Sequence, residues 1–150
     1  MRTQLQTLEL WRTTLVASVR SAAPDLSARQ MALLLCVYLG EGPHTVRGLS
    51  KTLKISKPAI SRALDRLGEL GYIRRERDDL DRRNVIVQRT QEGGRYLLDY
   101  ATLIEEAHQH IKTIPETQQL DFAASVVAGT MSALSPTTEQ APSRWSDIAA

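Results

Sequence analysis

The segment from Arg74 to Thr90, RRERDDLDRRNVIVQRT, constrains the fold of this chain more than any other part of the sequence. Two short runs, YIRRER and NVIVQRT, are candidate strands, and the turn between them carries aspartates and arginines. Strand-forming runs on both sides of a polar turn predict a β-hairpin. Gly71 lies just before the hairpin, where a glycine is well suited to end a helix. The sequence therefore predicts a helix that leads directly into a two-stranded ribbon.

Two short helices are predicted in front of this ribbon. The first spans Val46 to Leu53 with Thr45 as its N-cap, and the preceding HTV segment can add a small strand. The second begins after Ser56 and has Pro58 in its first turn, where proline is tolerated. Because only the tripeptide KIS connects the two helices, they predict a helix-turn-helix, and the ribbon that follows extends it to a winged helix.

The second helix of this pair has one apolar and one polar side. Ile60, Leu64 and Leu67 recur at helical spacing and predict the buried side. The start of the helix and its polar side supply the candidate DNA contacts: Ser56, Lys57, Pro58, Ser61 and Arg62. Helix-turn-helix proteins place the start of this helix against base edges in the major groove, where an arginine can bind guanine. Many helix pairs bind no nucleic acid, so this pattern alone does not identify a DNA-binding protein.

The tip of the ribbon is the second candidate contact with DNA. Arginines alone would repel one another there, whereas neighbouring carboxylates can hold the ribbon in shape by charge-assisted hydrogen bonds. We expect Asp81 to brace the tip, and Arg82 or Arg83 to reach into a minor groove, whose negative potential attracts arginine. The alternative is a solvated hairpin tip that binds nothing.

The net charge of +2 is unevenly distributed along the chain. Twelve Lys/Arg and six Asp/Glu lie between Arg47 and Arg89, whereas the rest of the chain has seven Lys/Arg and eleven Asp/Glu. A basic segment of this kind indicates a polyanionic partner, although most charged runs are only solvated surface. No apolar run is long enough to cross a bilayer, and the N-terminal segment lacks the apolar block of a signal peptide. We therefore expect a cytoplasmic protein without membrane partners.

Further helices are predicted on both sides of this segment. One spans Thr3 to Ala23, and another begins at Ser27, which forms a capping box with Gln30, and ends near Leu39. The latter is apolar almost all round and is expected to be buried, with Cys36 as a structural thiol. We expect a single winged-helix domain over 1–134, with dimerisation helices at 1–23 and 91–134, a DNA-binding core at 27–90, and a disordered tail at 135–150.

The helices at the two ends carry apolar seams. From Gln91 onward, apolar residues alternate at spacings of three and four, and Pro115 interrupts this pattern before a last helix. The seams exceed what a small winged core needs, so we expect them to form a homodimer; alternatively, they pack on each other within one chain. The predicted dimer contacts are Leu5, Leu8, Leu15, Ile104, Ile111, Ile114, Leu120 and Val127.

The segment LSKTLKISKPAISRALDRLGELGYIRRERDDLDRRNVIVQRTQEG resembles the winged-helix core of the MarR family of bacterial transcription regulators. The resemblance covers about Leu26 to Ile114. Its most specific part is an Asp-x-x-Asp-Arg-Arg run, followed by an apolar strand and a Thr-x-x-Gly segment that opens the next helix. The resemblance implies a homodimeric regulator, a repressor modulated by a small ligand, that binds a pseudo-palindromic double-stranded DNA operator.

Two residues depart from the family pattern. Asp79 stands where a proline is common, which predicts a looser wing tip. Arg89 stands where the family often has an apolar residue. The stem of Arg89 can pack, but its charged head needs water or a partner, and the sequence does not identify that partner.

Other classes of function have weaker support in the sequence. Paired catalytic carboxylates, a phosphate-binding glycine loop and a nucleophile elbow are missing, so we expect neither an enzyme nor a cofactor. Glu106 and His110 share a helix face but lack further ligands nearby, so we expect no metal site. Trp11, Met31 and Tyr38 could line a ligand cleft, although such residues are more often core. The remaining alternative is a winged helix that binds only proteins.

Overall fold

The computed structural model of the protein describes residues 4–112 and 116–132. The chain is mainly helical with one small sheet, which confirms the predicted fold class. The elements are α1 (Gln4–Arg20), α2 (Ala28–Leu39), β1 (His44–Thr45), α3 (Val46–Leu53), α4 (Lys57–Glu69), β2 (Ile73–Arg77), β3 (Val85–Arg89), α5 (Gln91–Lys112) and α6 (Glu116–Ser132). The predicted dimer contact Ile114 and the predicted tail at 135–150 lie outside the described residues.

Local signals in the sequence fix the starts of two helices. Ser27 and Gln30 form the predicted capping box, in which Ser27 Oγ accepts from the Gln30 amide at 3.2 Å and Gln30 Oε1 accepts from the Ser27 amide at 2.8 Å. Thr45 caps α3 as predicted, because its Oγ1 accepts from the Gly48 amide at 3.0 Å. Both caps satisfy amides that would otherwise lack a partner in the first helical turn.

Gly71 ends α4 as predicted. Its φ angle of +74° lies in the left-handed region that favours glycine. The Gly71 amide donates to the Gly68 carbonyl at 3.0 Å, and the Tyr72 amide donates to the Leu67 carbonyl at 2.9 Å. This pair of bonds is a Schellman motif, and it turns the chain from α4 directly into β2.

The sheet has the strand order β1–β3–β2, and both pairs are antiparallel. Strands β2 and β3 form the wing, which pairs Ile73 with Arg89 at its base and Arg77 with Val85 near its tip. The two-residue strand β1 adds to β3 through the pair His44 and Val87. The small strand predicted from the HTV segment is therefore part of the sheet that supports the wing.

The hydrophobic core lies mainly between α2 and α4. Its fully buried side chains are Leu33, Leu34, Val37, Ile60, Leu64 and Leu67. The prediction that α2 is a buried helix holds for one face only, since Leu35 is 38% and Leu39 is 80% exposed. Cys36 is only half-buried, although it packs against the core. The core holds α4 by one face and leaves the opposite face exposed.

Helix α1 packs along α5, and this contact buries Thr14, Ala107 and Ile111. Ile111 is 3% exposed within the single protomer, so it belongs to this packing and does not offer the dimer contact predicted for it. The two seams thus pack partly on each other within one chain, which was the alternative to dimerisation. Over the described ranges, no helix is both long and apolar enough to cross a membrane.

Candidate nucleic-acid interface

The N-terminus of α4 is open to solvent. Ser56 occupies the N-cap position, Lys57 and Pro58 follow in the first turn, and all three residues are exposed. The Ser56 hydroxyl makes no capping hydrogen bond, in contrast to those of Ser27 and Thr45. The first turn of α4 therefore presents a hydroxyl group and amides at the positive end of the helix dipole, an arrangement that suits a phosphate.

One turn further along α4, Ser61 and Arg62 differ in exposure. Arg62 is exposed, and its guanidinium has no intramolecular partner among the described residues. Ser61 is half-buried, and its carbonyl oxygen lies 3.4 Å from Arg75 Nη2. The buried Ile60 and Leu64 on the other face determine that Arg62 points away from the core. Arg62 is thus better placed than Ser61 to reach a ligand.

Asp81 organises the wing tip through the backbone. Its Oδ1 accepts a hydrogen bond from the Arg83 amide at 3.0 Å, and its carbonyl oxygen accepts from the Asn84 amide at 2.8 Å. Its Oδ2 also lies 3.4 Å from Asn84 Nδ2. Asp78 makes a similar turn, in which its Oδ1 accepts from the Leu80 amide at 2.9 Å. The carboxylates therefore hold the tip by charge-assisted hydrogen bonds, and their partners are backbone amides.

Arg82 and Arg83 extend from this tip. Both are exposed, and within the described ranges neither guanidinium forms a hydrogen bond or an ion pair. Asp81 thus leaves both charges available while it fixes the backbone that carries them. The predicted roles of these residues in the minor groove stay predictions.

Three side-chain contacts hold the wing above its base. Arg75 on β2 forms an ion pair with Asp65 on α4. On the outer face of the ribbon, Arg74 pairs with Glu76 at 2.6 Å and donates to Gln88 Oε1 at 3.0 Å. These contacts connect the wing to α4 and the two wing strands to each other.

Helix α3 and the turn after it add basic residues that the sequence reading missed. Arg47, Lys51 and Lys54 are all exposed, and the first two lie four residues apart on α3. Lys54 adopts a left-handed conformation with a φ of +53° at the turn between α3 and α4. The sequence already placed these residues in the basic segment, and the fold adds that Arg47 and Lys51 lie one turn apart on α3.

Among the described residues, the acidic side chains of the helix-turn-helix are ion-paired, whereas the basic side chains at the start of α4 are not. Its two acidic residues, Asp65 and Glu69, are ion-paired with Arg75 and Arg66 respectively. In the described part of the chain, no ion pair involves Lys57 or Arg62. The acidic groups are therefore neutralised locally, whereas the cations at the start of α4 keep their full charge for a polyanion.

A separate cavity of about 260 Å³ lies between the C-terminal end of α1 and the first half of α5. Its lining comprises Ser18, Ser21, Ala23, Tyr96, Asp99, Tyr100 and Leu103. Tyr96 stacks on Tyr72 with ring centroids 4.6 Å apart, and burial raises the pKa of Tyr96 to about 12. None of Trp11, Met31 and Tyr38 lines this cavity, although the sequence suggested them for a cleft.

Metal-binding groups are not clustered in the part of the chain that the structure describes. No three His, Cys, Asp or Glu side chains are grouped there so that they could hold an ion. On α5, His108 Nδ1 lies 3.8 Å from a Glu105 oxygen.

Comparison with known proteins supports the winged-helix reading. Residues 25–84 match the model of the MarR family, which confirms the resemblance predicted from the sequence. A mutant of S. aureus MepR bound to an oligodeoxyribonucleotide is 18% identical with a TM-score of 0.61, and the match covers 85% of this chain and 91% of that chain. No curated protein matches the chain.

Two further solved structures share the fold. The transcriptional regulator Tm0710 from Thermotoga maritima is 20% identical with a TM-score of 0.56, over 89% of this chain and 91% of that chain. A mutant of MarR from E. coli is 21% identical with a TM-score of 0.55, over 84% of this chain and 89% of that chain. The chain thus has the fold of MarR-family transcription regulators.

Proposed function

We propose that this chain, whose residues 25–84 match the MarR family, is a transcription regulator that binds double-stranded DNA as a homodimer. The observation that carries the proposal is the set of exposed cations without intramolecular partners at the start of α4 and at the wing tip. These cations are Lys57, Arg62, Arg82 and Arg83. They face solvent from the two elements with which winged helices bind the two grooves of DNA.

Each group has a chemically distinct role in this proposal. Ser56 and Lys57 bind backbone phosphates, because a free hydroxyl and an ammonium at a helix N-terminus are suited to anions. Arg62 binds a base edge in the major groove, and Arg82 or Arg83 enters the minor groove. The oligonucleotide bound to the S. aureus MepR mutant, which has the same fold, supports DNA as the polyanion.

The dimer is proposed to form through the end helices. Large apolar side chains remain exposed on α1 and α6: Leu8, Trp11, Leu15, Val19 and Leu120 are 56%, 63%, 43%, 68% and 66% exposed respectively. An apolar stripe of this kind on a single protomer indicates an interface, here with a second copy of the chain. Ile104 and Val127 are also exposed, whereas Leu5 is half-buried. A twofold dimer would match a pseudo-palindromic operator.

The cavity between α1 and α5 is proposed as the site of a small-molecule effector that releases the repressor from DNA. At about 260 Å³ it exceeds the volume of about 150 Å³ in which an engineered apolar cavity binds benzene. Tyr96 and Tyr100 offer aromatic surface, and Asp99 offers a negative charge. A small aromatic compound with a positive charge would fit this chemistry. One solved structure with this fold is S. aureus MepR bound to ethidium bromide, an observation on that protein.

Titration of a fluorescent duplex library tests the proposed function. The wild-type protein should select a subset of duplexes and bind the rest weakly. Arg62→Ala should weaken binding to the selected site by about 1–3 kcal/mol and relax discrimination at one base position. Equal affinity of the wild type for every duplex, with no effect of Arg62→Ala, would contradict sequence-specific binding.

A winged helix that binds only proteins is the competing function. Such a module does not need Arg82 and Arg83 after Asp81 at the wing tip. It also does not need a surface without apolar side chains at the start of α4. Within the described residues, Pro58 is the sole apolar side chain among the exposed positions from Ser56 to Arg62. Complete failure to bind duplex DNA at low salt would favour this competing function.

A further inference from the structure

Arg89, the last residue of β3, is bound to the C-terminal end of α2. Its Nε donates to the Val37 carbonyl at 2.8 Å, and its Nη2 donates to the Gly40 carbonyl at 2.9 Å. The last carbonyls of a helix lack amide partners within the helix, and Gly40 closes α2 by donating to Cys36 at 3.0 Å. The planar guanidinium thus supplies two donors and a positive charge where the helix dipole is negative.

Neighbouring bonds connect the same helix end to the base of the wing. The Tyr38 hydroxyl accepts from the Thr90 amide at 2.8 Å and lies 2.7 Å from the Thr90 carbonyl and 2.9 Å from the Tyr72 carbonyl. Thr90 Oγ1 donates to the Gly71 carbonyl at 2.6 Å and accepts from the Gly93 amide at 3.1 Å. The C-terminal end of α2 therefore binds the chain at the base of both wing strands and at the start of α5.

The position of Gly93 shows how closely these elements approach one another. A Cβ atom at this position would collide with the Tyr38 hydroxyl and the Tyr72 carbonyl. The wing base is consequently fixed by close packing as well as by hydrogen bonds. Arg89 is the charged member of this junction, and its charge is used inside the protomer although the residue is exposed.

We propose that Arg89 is a positioning residue for the wing and does not itself contact DNA. The inference rests on the proposed DNA-binding function. Arg83 lies six positions before Arg89, a distance of at most about 20 Å along an extended chain. A tilt of about 6° at the base would therefore displace the tip by about 2 Å. Arg89 thus determines whether Arg82 and Arg83 reach the groove that they are proposed to enter.

A double-mutant cycle on duplex binding tests this role. Arg89→Leu removes both donors and the charge but keeps apolar packing. We expect it to weaken binding about tenfold, because part of the energy of the two lost charge-assisted hydrogen bonds holds the wing in place, and to leave the salt dependence unchanged. In an Arg82→Ala/Arg83→Ala background, whose wing no longer binds, Arg89→Leu should cause no further loss. Arg89→Lys keeps the charge but cannot donate to both carbonyls with the geometry of a guanidinium, and it should weaken binding about threefold.

Several results would overturn the inference. A salt slope that falls by about one unit in Arg89→Leu would indicate a direct phosphate contact. An undiminished loss in the Arg82→Ala/Arg83→Ala background would show that Arg89 does not act through the wing. If circular dichroism shows that Arg89→Leu is unfolded, the folded Arg89→Lys variant replaces it in the test. Wild-type affinity of Arg89→Lys would then show that the two hydrogen bonds of Arg89 do not position the wing. Failure of the wild-type protein to bind any duplex would instead remove the proposed function, and this inference with it.

Discussion

Arg75 on β2 forms an ion pair with Asp65 on α4, so the wing and the proposed DNA-reading helix are joined by a direct side-chain contact. The Arg75 side chain is 31% exposed and that of Asp65 is 57% exposed, which places the pair at the edge of solvent. Because the two residues belong to the two proposed DNA-contacting elements, the pair adds a direct link between them. We therefore expect α4 and the wing to bind DNA as one unit.

The first prediction concerns the strength of this pair. The double-mutant cycle of Asp65→Ala and Arg75→Ala should give a coupling in the free energy of unfolding of about 1 kcal/mol, near the upper end for surface pairs. The more exposed pair of Arg66 and Glu69 is a matched control and should give less than about 0.5 kcal/mol. Urea denaturation measures both couplings. Equal couplings for the two pairs would show that the contact between α4 and β2 is no stronger than an ion pair within one helix.

The second prediction separates bracing from electrostatics at the wing tip. Asp81→Ala removes the acceptor for the Arg83 amide and should weaken duplex binding by about 0.5–1.5 kcal/mol. Asp81→Asn keeps an acceptor but removes the charge, so it should bind as tightly as the wild type or more tightly. If the carboxylate only reduces the attraction to DNA, both variants should bind more tightly to a similar extent. Titrations of one duplex at fixed salt decide between the two accounts.

The third prediction concerns the proposed dimer. Trp11→Glu places a charge within the exposed apolar stripe of α1 and should convert the dimer to a monomer, because an unpaired charge is costly to bury. Light scattering should give twice the chain mass of 16.7 kDa for the wild type and a single chain mass for the variant. Leu80→Glu is the control, since Leu80 is 97% exposed at the wing tip and should not affect assembly. A wild-type monomer at all concentrations would refute the dimer.

The fourth prediction follows from the buried phenol of Tyr96. Burial and the neighbouring Tyr72 raise the pKa of Tyr96 to about 12, whereas an unfolded tyrosine titrates near about 10. The folded state thus holds this proton more tightly, and its contribution to stability is complete below about pH 10 and is lost as the pH rises toward about 12. Tyr96→Phe should lose stability less steeply than the wild type over this range. Parallel urea denaturation curves between about pH 9 and pH 11 measure the difference, and identical slopes would contradict it.

Much of the fold was predictable because its signals are local. The capping box of Ser27, the Thr45 cap and the Gly71 terminus each depend on residues within one turn of one another. The helix-turn-helix and wing follow from these boundaries. The exposure of Leu39 on α2 was not predictable, because an apolar pattern does not reveal whether a neighbouring element covers each side.

The residues of the proposed DNA-binding site were predictable from the sequence, but the hydrogen-bond partners of several of them were not. The backbone partners of Asp81 depend on the conformation of the turn, and the partners of Arg89 come from a helix about fifty residues earlier in the chain. The Arg89 pairing depends on tertiary geometry, which sequence spacing does not encode. The same reason explains why Ile111, which shares the spacing of the apolar seam, is buried against α1 within the protomer.

The dependence of duplex affinity on salt tests the central claim most directly. If the exposed cations of α4 and the wing bind DNA, log Kd should vary linearly with log salt, and Lys57→Ala should reduce the slope by about one unit per protomer. Arg20→Ala is a matched control, because it removes one exposed charge from the end of α1, away from the proposed interface. The account predicts an unchanged slope for Arg20→Ala. Equal reductions in both variants, or a wild-type affinity that does not depend on salt, would contradict it.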